Sequence, residues 1–80
     1  MVGYIIAANK QKMSAAYEAD GKYGYLEIVS ATSLSVDDVI CGKIGTLGRT
    51  LISINGEDSL KQVQICEYDI PREEAIQYTK

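Results

Sequence analysis

The sequence predicts a mainly β fold, either a small antiparallel barrel or a strongly bent sheet of five to six strands, with a short C-terminal helix. Three observations predict this fold class. Short runs of β-branched residues and tyrosine alternate with polar residues, as strands do. Turn-forming pairs, among them Asp20-Gly21 and Asn55-Gly56, separate these runs. The only proline, Pro71, stands shortly before two glutamates, which is typical of a first helical turn.

The chain has the size and composition of one folded domain that covers residues 1–80. Its 80 residues are 46% hydrophobic and 24% charged, a balance that globular proteins share and disordered tails do not. All six aromatic residues are tyrosines, and a tyrosine hydroxyl needs a hydrogen-bond partner or water. We therefore expect several tyrosines at the boundary of the core or at an interface.

The first strand is predicted over residues 2–8, and the polar residues 9–12 form either a short turn or a bulge in one long bent strand. The clearest hairpin follows, with Asp20 and Gly21 as a two-residue type I′ turn. In this register one face is apolar and contains Met13, Ala15, Tyr17, Ala19, Leu26 and Ile28. The other face is mixed and pairs Glu18 with Tyr23, Ala16 with Tyr25 and Ser14 with Glu27.

The middle of the chain is predicted to be a loop followed by another strand. Residues 30–38 are rich in turn formers and predict a loop with room for one helical turn. A strand over residues 39–44 then directs Ile40 and Ile44 inward, and residues 45–48 form the next turn. The glycines of this stretch indicate a bent strand and a tight turn, because a phosphate loop would be followed by a helix.

Two further strands are joined by a loop over residues 55–60. A tight turn at its start would leave the last strand without apolar partners, so the longer loop is favoured. The resulting register sets Ile52 opposite Val63 and Thr50 opposite Ile65. The outward side chains of the last strand are then Gln62, Gln64, Cys66 and Tyr68.

The residues of a familiar catalytic or metal site are missing from the sequence. There is no histidine to activate a nucleophile or to complete a zinc site, and Cys41 and Cys66 stand far apart without a CxxC pair. We interpret both cysteines as reduced structural thiols. The adjacent carboxylates, such as Glu73 and Glu74, suit solvated turns and a helix start. No cofactor or metal is expected.

Charge and hydropathy limit the classes of partner. The net charge is −3, whereas a binder of the phosphate backbone normally shows a basic stripe, so nucleic acid is disfavoured. A local basic patch from Lys10, Lys12 and Lys22 is the exception. The longest early apolar run, residues 2–8, is too short to span a bilayer. We expect a cytoplasmic protein with no membrane contact.

Two tyrosines after the Asp20-Gly21 turn are candidates for recognition. Tyr23 and Tyr25 lie on the mixed face of the hairpin, where they could form an exposed surface together with the three lysines. They could equally pack beneath the helix or a loop.

Self-association is predicted because apolar residues occupy both parities of the strands. A small barrel has only one interior, and a short helix cannot cover the whole second set. The candidate oligomer interface comprises Val39, Cys41, Leu51, Cys66 and Tyr68.

These observations favour a non-enzymatic binding or assembly module that forms a homodimer and recognises a protein partner through a tyrosine face or the acidic carboxyl end. Two alternatives remain at this point. One is a single-stranded nucleic-acid-binding barrel, and the other is a small-ligand or enzymatic site at an oligomer interface. The number of elements is similar to that of oligonucleotide-binding and SH3-like barrels, but fold alone does not determine function.

Overall fold

A computed structural model describes all 80 residues and shows a closed antiparallel barrel of six strands with one short helix. Around the barrel the strands follow the order β1-β2-β3-β6-β5-β4. The predicted fold class is confirmed, in its closed form. The elements are β1 (Val2–Asn9), β2 (Ser14–Ala19), β3 (Lys22–Ile28), β4 (Val39–Gly42), β5 (Gly48–Ile54), β6 (Lys61–Ile70) and α1 (Arg72–Tyr78).

The β2–β3 hairpin has the predicted register, with Tyr17 opposite Gly24. Its turn residues adopt the left-handed conformation that a type I′ turn requires, with φ of 56° at Asp20 and 75° at Gly21. The inward placement of Met13 is wrong, since this side chain is exposed. Met13 ends the preceding turn with a φ of 52°, so the alternation of β2 does not extend to it.

The segment after the first strand is a turn over residues 10–13, so the alternative of one long bent strand is wrong. A bulge does occur in β1, but it lies earlier, at Ile6, where the register against β2 shifts by one residue. The extra residue reverses the alternation of side chains. Ile5 and Ala8 therefore both pack toward the core although they are three positions apart.

The loop between β3 and β4 closes one end of the barrel. It forms no helical turn, and its side chain Leu34 is fully buried in the core cluster. Its last part pairs with β1, where the amide of Ile5 donates to the carbonyl of Asp38 at 2.9 Å and the amide of Asp37 donates to the carbonyl of Ile5 at 2.9 Å. The stretch predicted as a loop thus supplies one core residue and a short backbone pairing with β1.

The predicted register of β5 against β6 is wrong by two residues. Thr50 lies opposite Val63, and Gly48 lies opposite Ile65. Because the shift is an even number, every side chain keeps its predicted face, and the inward set is unchanged. The last two residues of β5 pair with β4 and have no partner on β6, which is why the strand meets β6 closer to its own start.

The outward placement of Tyr68 is also wrong. β6 shifts its register against β3 by one residue at Cys66, and such a bulge exchanges the two faces beyond it. Tyr68 therefore turns toward the interior, where its ring stacks on Tyr17 with 6.2 Å between the centroids. Its hydroxyl donates to the carbonyl oxygen of Ala19 at 2.8 Å.

Tyr17 is the largest fully buried side chain of the barrel. Its hydroxyl donates to the carbonyl oxygen of Ile44, in the turn between β4 and β5. Burial, with smaller contributions from Tyr68 and Cys66, raises the pKa of Tyr17, so the hydroxyl stays a neutral donor. The apolar residues around it are Ile5, Ala15, Ala19, Leu26, Ile28, Leu34, Ile40, Ile44, Ile52, Ile54, Val63 and Ile65.

The helix α1 forms at the predicted place and lies over the outer face of β2 and β3. Ala75 is buried against the strands, and the ring of Tyr78 lies 5.1 Å from that of Tyr25. Asn9, at the end of β1, donates from its side-chain amide to the carbonyl of Thr79 at 2.7 Å. Tertiary contacts therefore hold a seven-residue helix that would be unstable alone.

Gly24→Ala should destabilise the barrel because the added Cβ would lie 2.5 Å from Cζ of Tyr17 and 2.8 Å from the carbonyl oxygen of Glu67. We expect a loss of about 2 to 3 kcal/mol in the free energy of unfolding in urea. The comparison variant is Gly21→Ala, which has open space around its Cβ but a φ of 75°, and which should lose only about 1 kcal/mol. An equal or smaller loss at Gly24 would contradict the crowding.

Ser14→Ala should stabilise the protein. The hydroxyl of Ser14 is buried without a hydrogen-bond partner, so it is desolvated on folding without compensation. We expect the free energy of unfolding to rise by about 1 kcal/mol. Ser53→Ala, at a half-buried position in β5, is the matched control and should change stability by less than about 0.5 kcal/mol. A loss of stability in Ser14→Ala would show that the hydroxyl is bonded in the folded state.

Candidate interaction surface

The tyrosine surface predicted on β3 is mostly covered. Tyr25 is buried, because α1 lies over the mixed face of the hairpin and Tyr78 contacts its ring. The expectation of an exposed Tyr25 is therefore wrong, and the alternative of packing beneath the helix is what occurs. Tyr23 is half-buried, opposite Glu18 on β2 and Ile70 on β6.

The three lysines predicted to form a basic patch do not lie together. Lys10 and Lys12 belong to the β1–β2 turn, whereas Lys22 follows the β2–β3 turn. These turns stand at opposite ends of β2, whose six residues span about 20 Å. Lys12 also donates from Nζ to the carbonyl oxygens of Tyr78 and Lys80, at 3.1 and 2.6 Å. A single-stranded nucleic acid would therefore find no continuous surface of tyrosine and lysine here.

The residues predicted for an oligomer interface divide into two groups. Val39, Cys41 and Leu51 are exposed on the outer face of β4 and β5. Cys66 is half-buried at the bulge of β6, and Tyr68 is turned inward by that bulge. Only the first three therefore lie on one common surface.

Sequence reasoning missed two residues that complete this surface. Val2 lies opposite Cys41, and Tyr4 lies opposite Val39, in the short pairing of β1 with β4. Both side chains are about half exposed. The available signal was the alternation of β1, in which Gly3 and Ile5 are buried and their neighbours are not. The neighbouring strand could not be identified from the sequence, so these residues could not be joined to β4.

The apolar face, as we call it below, consists of Val2, Tyr4, Val39, Cys41 and Leu51. Pairing makes it continuous: β4 lies between β1 and β5, and Cys41 is opposite both Val2 and Ser53. The helix makes its main contacts with β2 and β3, on another side of the barrel. Nothing in the chain covers the apolar face.

Charged residues of opposite sign stand at the two ends of the apolar face. Where β4 ends and β5 begins lie Lys43 and Arg49, both exposed, which we call the basic end. At the opposite end, where β4 begins and β5 ends, lie the four residues of the acidic end, Asp37, Asp38, Glu57 and Asp58. Backbone hydrogen bonds fix this placement, since Asp38 pairs with Ile5 and Asn55 donates to Val39 at 2.7 Å.

The two cysteines have different surroundings and form no disulfide. Cys41 is exposed at the centre of the apolar face. Burial raises the pKa of Cys66, and the nearby carboxylate of Glu27 adds to this effect. No three acidic, cysteine or histidine side chains are grouped so that they could hold a metal ion.

Neither a pocket nor a known relative indicates a function for this chain. The monomer has no pocket, and its helix is too short and too polar to cross a membrane. The chain matches no protein-family model, no curated protein and no solved structure.

Cys41 should react with a thiol reagent faster than Cys66. The thiolate is the reactive form, so the raised pKa of Cys66 and its partial burial both slow its reaction. At pH 8 and low micromolar protein concentration, we expect labelling with a chromogenic disulfide to be at least about 10-fold faster in Cys66→Ser than in Cys41→Ser. Equal rates in the two variants would contradict the structure.

Proposed function

We propose that this chain is a non-enzymatic assembly module that forms a homodimer through its apolar face. The observation that carries the proposal is the adjacency of five exposed side chains, four of them large and hydrophobic, on the outer surface of three neighbouring strands. Contiguous exposed patches of this kind are uncommon on monomers and usually mark an interface.

The contrast with the other side of the barrel supports this proposal. On β2 and β3 the outward residues Ala16 and Tyr25 are buried, because α1 covers them. The chain therefore shields one apolar outer face with its own helix and leaves the other open. A second copy of the same chain can supply the missing cover, because closed two-fold dimers are the commonest soluble assemblies and use the same patch on both subunits.

The size of the apolar face indicates a modest affinity. Three strands are about 14 Å wide at the usual spacing, and strands of the length of β5 extend to about 23 Å. This area of about 300 Å² on each copy is below the roughly 500 Å² per partner of a specific interface, so the dimer must also bury the residues at the two ends of the face. We therefore propose a reversible dimer with a dissociation constant of about 1 to 100 µM, whose remaining surface, including the acidic carboxyl end, is available to a further protein partner.

The dimer is tested with a double variant on the apolar face, Val39→Thr with Leu51→Thr. Threonine keeps a high preference for strands, so the fold should persist while apolar area is lost on both copies. Sedimentation velocity from 1 to 500 µM should show a reversible dimer for the native protein and a dissociation constant raised at least about 10-fold in the variant.

A matched control uses the same two substitutions elsewhere, as Val29→Thr with Leu60→Thr. These side chains are 41% and 55% exposed, against 36% for Val39 and 53% for Leu51, and they lie outside the strands of the apolar face. The control should sediment like the native protein. A native protein that stays monomeric at 500 µM, or a control as weak as the test variant, would overturn the proposal.

A further inference from the structure

We propose that the two copies pack in an antiparallel orientation, so that the acidic end of each apolar face meets the basic end of the other. This inference rests on the proposed homodimer and adds its orientation, its symmetry axis and the residues in contact. The orientation follows from the charges at the two ends of the apolar face, whereas the dimer itself follows from the exposed apolar side chains.

The positions of the charges follow from the strand register. Lys43 is two residues beyond Cys41 on β4, and Arg49 is four residues before Ser53, the β5 partner of Cys41. At about 3.3 Å per residue, the basic end lies roughly 7 to 13 Å on one side of the level of Cys41. Asp38 is three residues on the other side, or about 10 Å, and the loop that carries Glu57 begins near the level of Val39. The two charged groups are therefore nearly symmetric about Cys41.

Two-fold symmetry leaves two simple ways to stack these faces. When two copies of one face meet, the two-fold axis lies in the plane between them. An axis parallel to the strands places like ends together, so acid faces acid and base faces base. An axis that crosses the strands reverses one copy, so each acidic end faces a basic end.

Electrostatics selects the second arrangement. Like charges held close across an interface repel, whereas complementary potentials guide association and fix the register. The acidic end carries four carboxylates, so the parallel arrangement would bring eight of them together. The antiparallel arrangement instead makes two equivalent contacts between opposite charges. Each exposed ion pair contributes little alone, but the whole set decides between the two orientations.

The same geometry places Cys41 next to the two-fold axis. The axis must pass midway between the charged ends, and that midpoint is the level of Cys41, Val2 and Ser53. Each of these residues therefore lies near its own counterpart in the second copy. Tyr4 and Val39 lie on the acidic side of the axis, and Leu51 lies on the basic side.

Three charge variants test the orientation. The first, Lys43→Glu with Arg49→Glu, makes both ends of the face acidic. The second, Glu57→Lys with Asp58→Lys and Asp37→Asn, changes the net charge of the opposite end from −4 to +1, and asparagine tolerates the positive φ of Asp37. It leaves Asp38 unchanged because its carboxylate accepts hydrogen bonds from Ser35 and Asn55 within the chain. The third variant combines all five substitutions and so reverses the sign of both ends.

Antiparallel packing predicts a specific pattern in sedimentation velocity at low ionic strength. Each of the first two variants should raise the dissociation constant at least about 10-fold, and the combined variant should bind at least about 3-fold more tightly than either of them. An equimolar mixture of the first two variants should also form a heterodimer that is tighter than either homodimer. The native dimer should weaken as salt rises from about 20 to 500 mM, because salt screens the attraction.

The outcomes separate the orientation from the dimer itself. If Lys43→Glu with Arg49→Glu leaves the dissociation constant unchanged, or if the native dimer strengthens with salt, the antiparallel arrangement is wrong although the homodimer stands. If the native protein remains monomeric, both proposals fail. Circular dichroism and urea unfolding of each variant show whether a lost dimer reflects a lost fold. A combined variant that is folded but no tighter than the separate ones would also overturn the orientation.

Discussion

The side chain of Tyr17 crosses the interior of the barrel from β2 and bonds to the backbone on the far side. Its hydroxyl donates to the carbonyl of Ile44, and its ring stacks on Tyr68. One side chain thus connects β2, β6 and the turn between β4 and β5. The absence of a side chain at Gly24 is what leaves room for the ring. Because β4 has only three pairs with each neighbour, this connection helps to hold the short strand in place and with it the apolar face.

Two bulges decide which side chains face the interior. The bulge at Ile6 brings Ala8 toward the core, and the bulge at Cys66 brings Tyr68 inward. Each adds one residue to a strand and so exchanges its faces beyond that point, in β6 as far as a second register shift at Asp69. An 80-residue chain can in this way bury apolar residues of both parities in a single interior. Fewer apolar side chains therefore remain on the outer surface than strict alternation would leave, and they lie on stretches of strand without a bulge.

The outer surface of the barrel is correspondingly divided. The helix protects β2 and β3, and its end is held by Asn9 and Lys12. On β1, β4 and β5 the apolar residues stay exposed between groups of opposite charge. A surface that is apolar in the middle and oppositely charged at its ends is complementary to a reversed copy of itself. In the proposed dimer, hydrophobic burial supplies the affinity and the charges supply the orientation.

The sequence by itself determined the strands, the short helix, the β2–β3 register and the inward set of β5, because turn chemistry and alternation are local properties. It also identified Val39, Cys41 and Leu51 as outward apolar residues. Only the tertiary structure joined them to Val2 and Tyr4, because the pairing of β1 with β4 connects strands distant in the chain. Only the tertiary structure turned Tyr68 inward and covered Tyr25. A bulge and a docked helix depend on how the closed barrel packs, and neither leaves a periodic signal in the residues that form it.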